Sequence, residues 1–138
     1  MRAPVPVLKS DELPIRSSSD VVVVRQLVRT RAIEAAFSLV DQTRIVTAAS
    51  ELARNTLEYG GGGRARIDVI REGVRTGLRI TFEDKGPGIA NLELALTDGY
   101  TTGRGLGLGL GGARRLMNDF QIESKPGEGT RVVVVRWH

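Results

Sequence analysis

Glycine is concentrated in two short stretches of this 138-residue chain, and no other feature limits its possible folds as strongly. Four of the 17 glycines form the run Gly60–Gly63, and seven lie between Gly99 and Gly112. A residue without a Cβ belongs where backbone turns tightly or comes close to another group. Two such places are therefore expected, each beside a regular element. The length suits one domain. With 41% apolar and 26% charged residues, the chain can bury a real core and does not read as disordered.

The bulk numbers exclude several chemistries. Cysteine is absent, so there is no disulfide framework, thiol nucleophile or cysteine-based zinc site. The single histidine is His138, which argues against a Ser-His-Asp triad or a histidine metal cluster. No apolar run approaches the ~18 residues that span a bilayer. The first residues carry prolines and early charges instead of the apolar core of a signal peptide. The expectation is a soluble cytoplasmic protein with no membrane partner. The net charge of +4 comes from arginine, 17 against 3 lysines. Guanidinium forks suit phosphates and carboxylates, so a nucleotide or an acidic partner fits, although codon bias explains the count as well. The arginines are scattered along the chain, so no nucleic-acid partner is expected.

Residues 5–16 read as one or two short strands interrupted by Pro6 and Pro14. Apolar spacing of three and four predicts a helix from about Asp20, its N-cap, to Leu39, although Val21–Val24 favour strand. A second helix runs from Asp41 to about Tyr59 and stops at the first glycine run. Residues 64–71 and 77–84 alternate as strands around a turn at Glu72–Gly77. A short helix at 91–97, a glycine-fronted helix at 106–118, and strands at 120–124 and 130–137 complete the order. The fold class is α+β, a two-layer sandwich with a mixed sheet covered by helices on one face. Residues 1–16 form an N-terminal strand segment and 17–138 a single domain.

Three constellations carry chemistry. Glu51 and Asn55 stand four apart on the second helix and share a face. An amide oxygen there can ligate Mg²⁺ and a carboxylate can polarise a nucleophile. Taken alone, the pair also reads as a solvent-facing polar stripe. Asp84 ends an apolar strand and leads into Gly86-Pro87-Gly88. A fixed carboxylate there can accept from an exocyclic amine, and the glycines allow backbone to approach a flat ligand. The same residues make an ordinary turn. Gly105, Gly107 and Gly109 open the next helix beside Arg104. Unpaired N–H groups at a helix start attract phosphate. The loop Thr101-Thr102 precedes them where the dinucleotide fingerprint needs a strand, and no P-loop Gly-Lys-Ser/Thr follows.

In series the signals are more specific. The order is Glu51…Asn55, Asp84-x-Gly86-x-Gly88, Gly105-x-Gly107-x-Gly109 and Gly127-Glu128-Gly129-Thr130. It resembles the Bergerat ATP-binding fold shared by gyrase, Hsp90, histidine kinases and MutL. The small size argues against gyrase, Hsp90 and MutL, and His138 stands at the wrong end for a histidine-kinase phospho-acceptor. The chain is most similar to the small serine/threonine kinases of bacterial partner switching, of the stressosome type. Val40-Asp41-Gln42, Asp98–Thr102 and Arg114–Met117 add to the match.

The resemblance implies ATP and Mg²⁺ as cofactors. Asp84 would take the adenine amine, with Thr130 behind it through water and Gly86 and Gly88 alongside. Asn55 would hold Mg²⁺. Thr102, Gly105, Leu106, Gly107 and Gly109 would hold the phosphates. Arg104 would stabilise the transferred group, and Glu51 would be the general base. The implied substrate is a STAS-domain antagonist protein, with a PP2C-type phosphatase as a further partner. The alternative implied by related proteins is a factor that binds and sequesters a sigma factor.

Overall fold

The computed structural model describes residues 5–96 and 109–138. The chain runs through strand β1 (Val7–Ile15), helices α1 (Ser18–Glu34) and α2 (Leu39–Glu58), and strands β2 (Gly63–Glu72) and β3 (Arg75–Asp84). Helices α3 (Leu92–Ala95) and α4 (Gly109–Leu116) and strands β4 (Asp119–Lys125) and β5 (Gly129–Trp137) follow. The element order is the one expected from the sequence.

The strands form one sheet in the order β1-β2-β3-β5-β4. Every ladder is antiparallel, where the sequence reading expects a mixed sheet. The reason lies in the connections. A pair of helices, α1 with α2 and α3 with α4, separates β1 from β2 and β3 from β4. Two tight hairpins make the remaining links, β2–β3 and β4–β5. Pro14 falls within β1, an edge strand, where a missing N–H is tolerated.

Helix α1 starts earlier than expected. Ser17 is its N-cap and accepts from the Asp20 N–H at 3.3 Å, and Asp20 accepts from the Arg16 N–H at 2.8 Å. That amide is the main reason the Asp20 carboxyl titrates below its ordinary value, with the Arg16 side chain next. The valine run is helical because Val24 and Val28 are buried in the core, and packing outweighs strand propensity. The helix also ends earlier. Ala36, at φ +63°, turns the chain before Leu39, and Ser38 caps α2.

Even-numbered side chains of β3 (Leu78, Ile80, Phe82) and β5 (Val132, Val134) point to the helices and are buried. Helix α2 covers them with Ile45, Ala48, Ala49, Leu52 and Ala53, all essentially inaccessible. The small alanines let this helix lie close to the sheet. Alternation therefore puts the next residues along the same face, Asp84 and Thr130, beneath the C-terminal end of α2.

Candidate functional site

The ends of β3 and β5 and the last turn of α2 converge on Asp84. Asp84 and Thr130 are directly opposite partners in the β3–β5 ladder. Asp84 is half-buried, and its Oδ1 accepts from the Gly86 N–H at 2.9 Å, a turn that fixes the carboxylate. Among the described residues no donor reaches Oδ2. The site thus holds an oriented carboxylate oxygen with its acceptor capacity unspent, which suits an exocyclic amine.

Thr130 is held from the side. Its Oγ1 lies 2.8 Å from Ser124 Oγ, which also accepts from the Ile89 N–H at 2.7 Å and lies 3.2 Å from the Gly129 carbonyl. A hydroxyl has one proton. If Ser124 donates to Gly129, Thr130 donates to Ser124, and the Thr130 oxygen keeps acceptor capacity towards the site. The Gly127 N–H donates to the Pro87 carbonyl at 2.7 Å. These bonds clamp the 84–89 loop onto the β4–β5 hairpin.

The glycines around Asp84 are packed against the protein itself. A Cβ on Gly86 would stand 2.7 Å from Gly60 Cα, and one on Gly88 (φ +77°) would collide with the Lys125 carbonyl. A Cβ on Gly129 would strike the Asp84 carbonyl. Gly86 and Gly88 thereby shape the loop that carries Asp84, and the space a side chain would need is filled by backbone. Sequence reading missed Gly60 and Ser124. Gly60 stood out only as part of a run with no assigned chemistry. For Ser124 the nearest signal was its place just before Gly127-Glu128-Gly129-Thr130.

On α2, Glu51 and Asn55 flank the buried stripe formed by Leu52, Ala53 and Thr56. The Glu51 side chain is 13% exposed and pairs with Arg54 at 3.2 Å. Among the described residues the Asn55 side-chain amide makes no hydrogen bond, so its oxygen is available to a cation. The Asn55 carbonyl accepts from the Tyr59 and Gly60 N–H groups at 2.9 and 3.2 Å. The turn that carries Asn55 therefore leads directly to the glycine that abuts Asp84. Gly109, at φ +68°, begins α4, whose Leu110 and Ala113 are buried in the core. Thr102, Arg104, Gly105, Leu106 and Gly107 lie outside the described residues, as does the start of the expected helix at 106. Among the described residues no cluster of acidic or histidine side chains forms a metal cage. Among the described residues no helix is long and apolar enough to cross a membrane.

Residues 40–138 match the family described as histidine kinase-, DNA gyrase B- and HSP90-like ATPase. The serine/threonine-protein kinase RsbT of Bacillus subtilis (strain 168) is 45% identical over 123 residues, covering 89% of this chain and 92% of the relative. An anti-sigma F factor of Clostridium kluyveri is 30% identical over 101 residues, 70% of this chain and 71% of the relative. Among solved structures, the RsbU and RsbW domains of a Mycobacterium tuberculosis protein superpose with a TM-score of 0.64 at 21% identity. That match covers 98% of this chain and 32% of the other. The SiaB–SiaC complex of Pseudomonas aeruginosa gives 0.55 at 15% identity, covering 96% and 91%. These two likenesses concern the fold. The chain belongs to the histidine kinase-, DNA gyrase B- and HSP90-like ATPases, on their serine/threonine protein kinase branch.

Proposed function

We propose that this kinase transfers the γ-phosphoryl group of ATP to a serine or threonine of a STAS-domain antagonist protein in a bacterial partner-switching system. The observation that carries the reading is the Asp84–Thr130 pair set beneath the helix that bears Glu51 and Asn55. Asp84 Oδ2 accepts the adenine amine, and Thr130 supports it through a water. Asn55 Oδ1 would hold Mg²⁺, which would supply neutralisation of phosphate charge when bound. Gly109, with Thr102, Gly105, Leu106 and Gly107, holds the phosphates, and Arg104 stabilises charge on the transferred group. Glu51 removes the proton from the substrate hydroxyl. That oxygen bonds to the γ-phosphorus, the bond to the β,γ-bridging oxygen breaks, and ADP leaves. Such transfer depends on positioning and charge stabilisation, and these residues supply both.

Phosphorylation releases the antagonist and frees the kinase for a second partner, a PP2C-type phosphatase. The reaction is cytoplasmic, and residues 17–138 form the kinase domain behind a strand segment at 1–16. The similarity to an anti-sigma F factor over 101 residues favours one further reading, direct sequestration of a sigma factor.

The test is incubation with labelled Mg-ATP and each STAS protein encoded nearby, repeated with Glu51→Gln. Label on a Ser or Thr of one partner, lost in the variant by roughly 10²–10⁴-fold in rate, is expected. If ATP binds and no STAS protein is labelled, the substrate assignment fails. Capture of a sigma factor in its place supports sequestration.

A further inference from the structure

We infer that Gly60 is a positioning residue that sets the Asp84 carboxylate and through it the preference for adenine over guanine nucleotides. The inference rests on the proposed adenine role of Asp84. A Cβ built on Gly60 meets the Asp84 side chain alone among its three nearest atoms. It would lie against Cγ, with Cβ at 2.5 Å and Oδ2 at 2.6 Å. The contact is with the group that holds the unspent acceptor oxygen. The Gly60 φ lies outside the left-handed region. An alanine there is therefore tolerated by its own backbone, and the contact with Asp84 makes glycine necessary.

Nor can Gly60 move aside. Its N–H donates to the Asn55 carbonyl at 3.2 Å. From the other side Gly86 rests on it, so that a Gly86 Cβ would stand 2.7 Å from Gly60 Cα and 2.8 Å from its carbonyl oxygen. Asp84 Oδ1 is tied to that same Gly86 through the 2.9 Å bond. The carboxylate thus has two constraints, one a hydrogen bond and the other a bare backbone surface at Gly60. A methyl group at 60 must rotate the carboxylate off the line to the amine. A displaced carboxylate loses its acceptor contact with the 6-amino group of adenine. It also loses its repulsion of the 6-oxo group of guanine. Selectivity should fall further than overall binding.

The experiment measures ATP and GTP affinities for the full chain and for Gly60→Ala, Gly61→Ala and Asp84→Asn. Gly61 (φ +72°) has nothing within 4 Å of an added Cβ, so its variant strains the same loop without touching Asp84. In Gly60→Ala, ATP binding is expected to weaken at least tenfold and the ATP-to-GTP ratio to fall by a larger factor, because GTP binding improves. Gly61→Ala should lose thermal stability and keep the ratio. Wild-type selectivity in Gly60→Ala, alongside lost ATP binding in Asp84→Asn, overturns the inference alone. Unchanged ATP affinity in Asp84→Asn overturns the adenine role itself, and this inference with it. Should Gly60→Ala fold poorly, melting of Gly60→Ala/Asp84→Gly against Asp84→Gly decides. The alanine should cost much less there than in the Asp84 background, because the three atoms nearest to it have gone, and an equal cost in both backgrounds contradicts the contact.

Discussion

The two ends of β3 both rest on glycine, and they differ in what the glycine makes room for. At the hairpin end, Gly77 lies under the Trp137 ring, whose nearest atom is 2.7 Å from a built Cβ. Arg75 stacks on the same ring at 4.1 Å. At the other end, Gly60, Gly63 and Gly129 close on Asp84 and Glu83, and at Gly63 and Gly129 the nearest atom is a backbone carbonyl. A ring at the end of a strand can shift by a few tenths of an ångström. A carbonyl held in a ladder cannot. The first arrangement covers a bare strand, while the second fixes the atoms of a site to the tolerance that binding demands.

Substitutions beside the two ends of β3 sharpen this contrast. The largest effect is expected at Gly129→Ala. There φ is +103° and the added methyl strikes the Asp84 carbonyl. Strain and overpacking together should cost about 3 kcal/mol or more, read as a lower midpoint in urea with nucleotide binding lost. Ser124→Ala should come next. It removes the acceptor for the Ile89 N–H and the partner of Thr130, at about 1–2 kcal/mol. ATP affinity should fall with it, although Ser124 need not touch the nucleotide. Smallest is Gly77→Ala, expected within about 1 kcal/mol of wild type, because the tryptophan can shift and glycine is itself unfavourable in a strand. Its nucleotide affinity should be unchanged. A Gly77→Ala variant as damaged as Gly129→Ala would erase the distinction between the two ends.

What could be read from sequence follows from the distance over which each relation acts. The pairing of Glu51 with Asn55 is set by helical period, so spacing alone places them on one face. The N-terminus of α1 was misread by three residues, Asp20 for Ser17, because a serine run ending in aspartate offers several caps and only geometry selects one. The end of α1 was hidden in Ala36, whose positive φ no residue type signals. Asp84 and Thr130 were connected by resemblance, since the β3–β5 register joins residues 46 positions apart (130 against 84) that share no periodic signal. Gly60 and Ser124 were missed for the same reason. Asp84, which Gly60 abuts, and Ile89, which ties Ser124 to the site loop, both lie far away in the chain, although Ser124 also bonds nearby Thr130. The first glycine run was visible as an anomaly, and its meaning emerged only when the fold brought it to the carboxylate.

The most direct test of the account is an ATP titration of the wild-type chain and Asp84→Asn by calorimetry, with folding checked by melting. The amide keeps the size of the carboxylate and removes its charge. The account predicts measurable ATP binding by the wild type, loss of binding in the variant, and similar melting of both. Equal ATP affinity in the two folded proteins would contradict it.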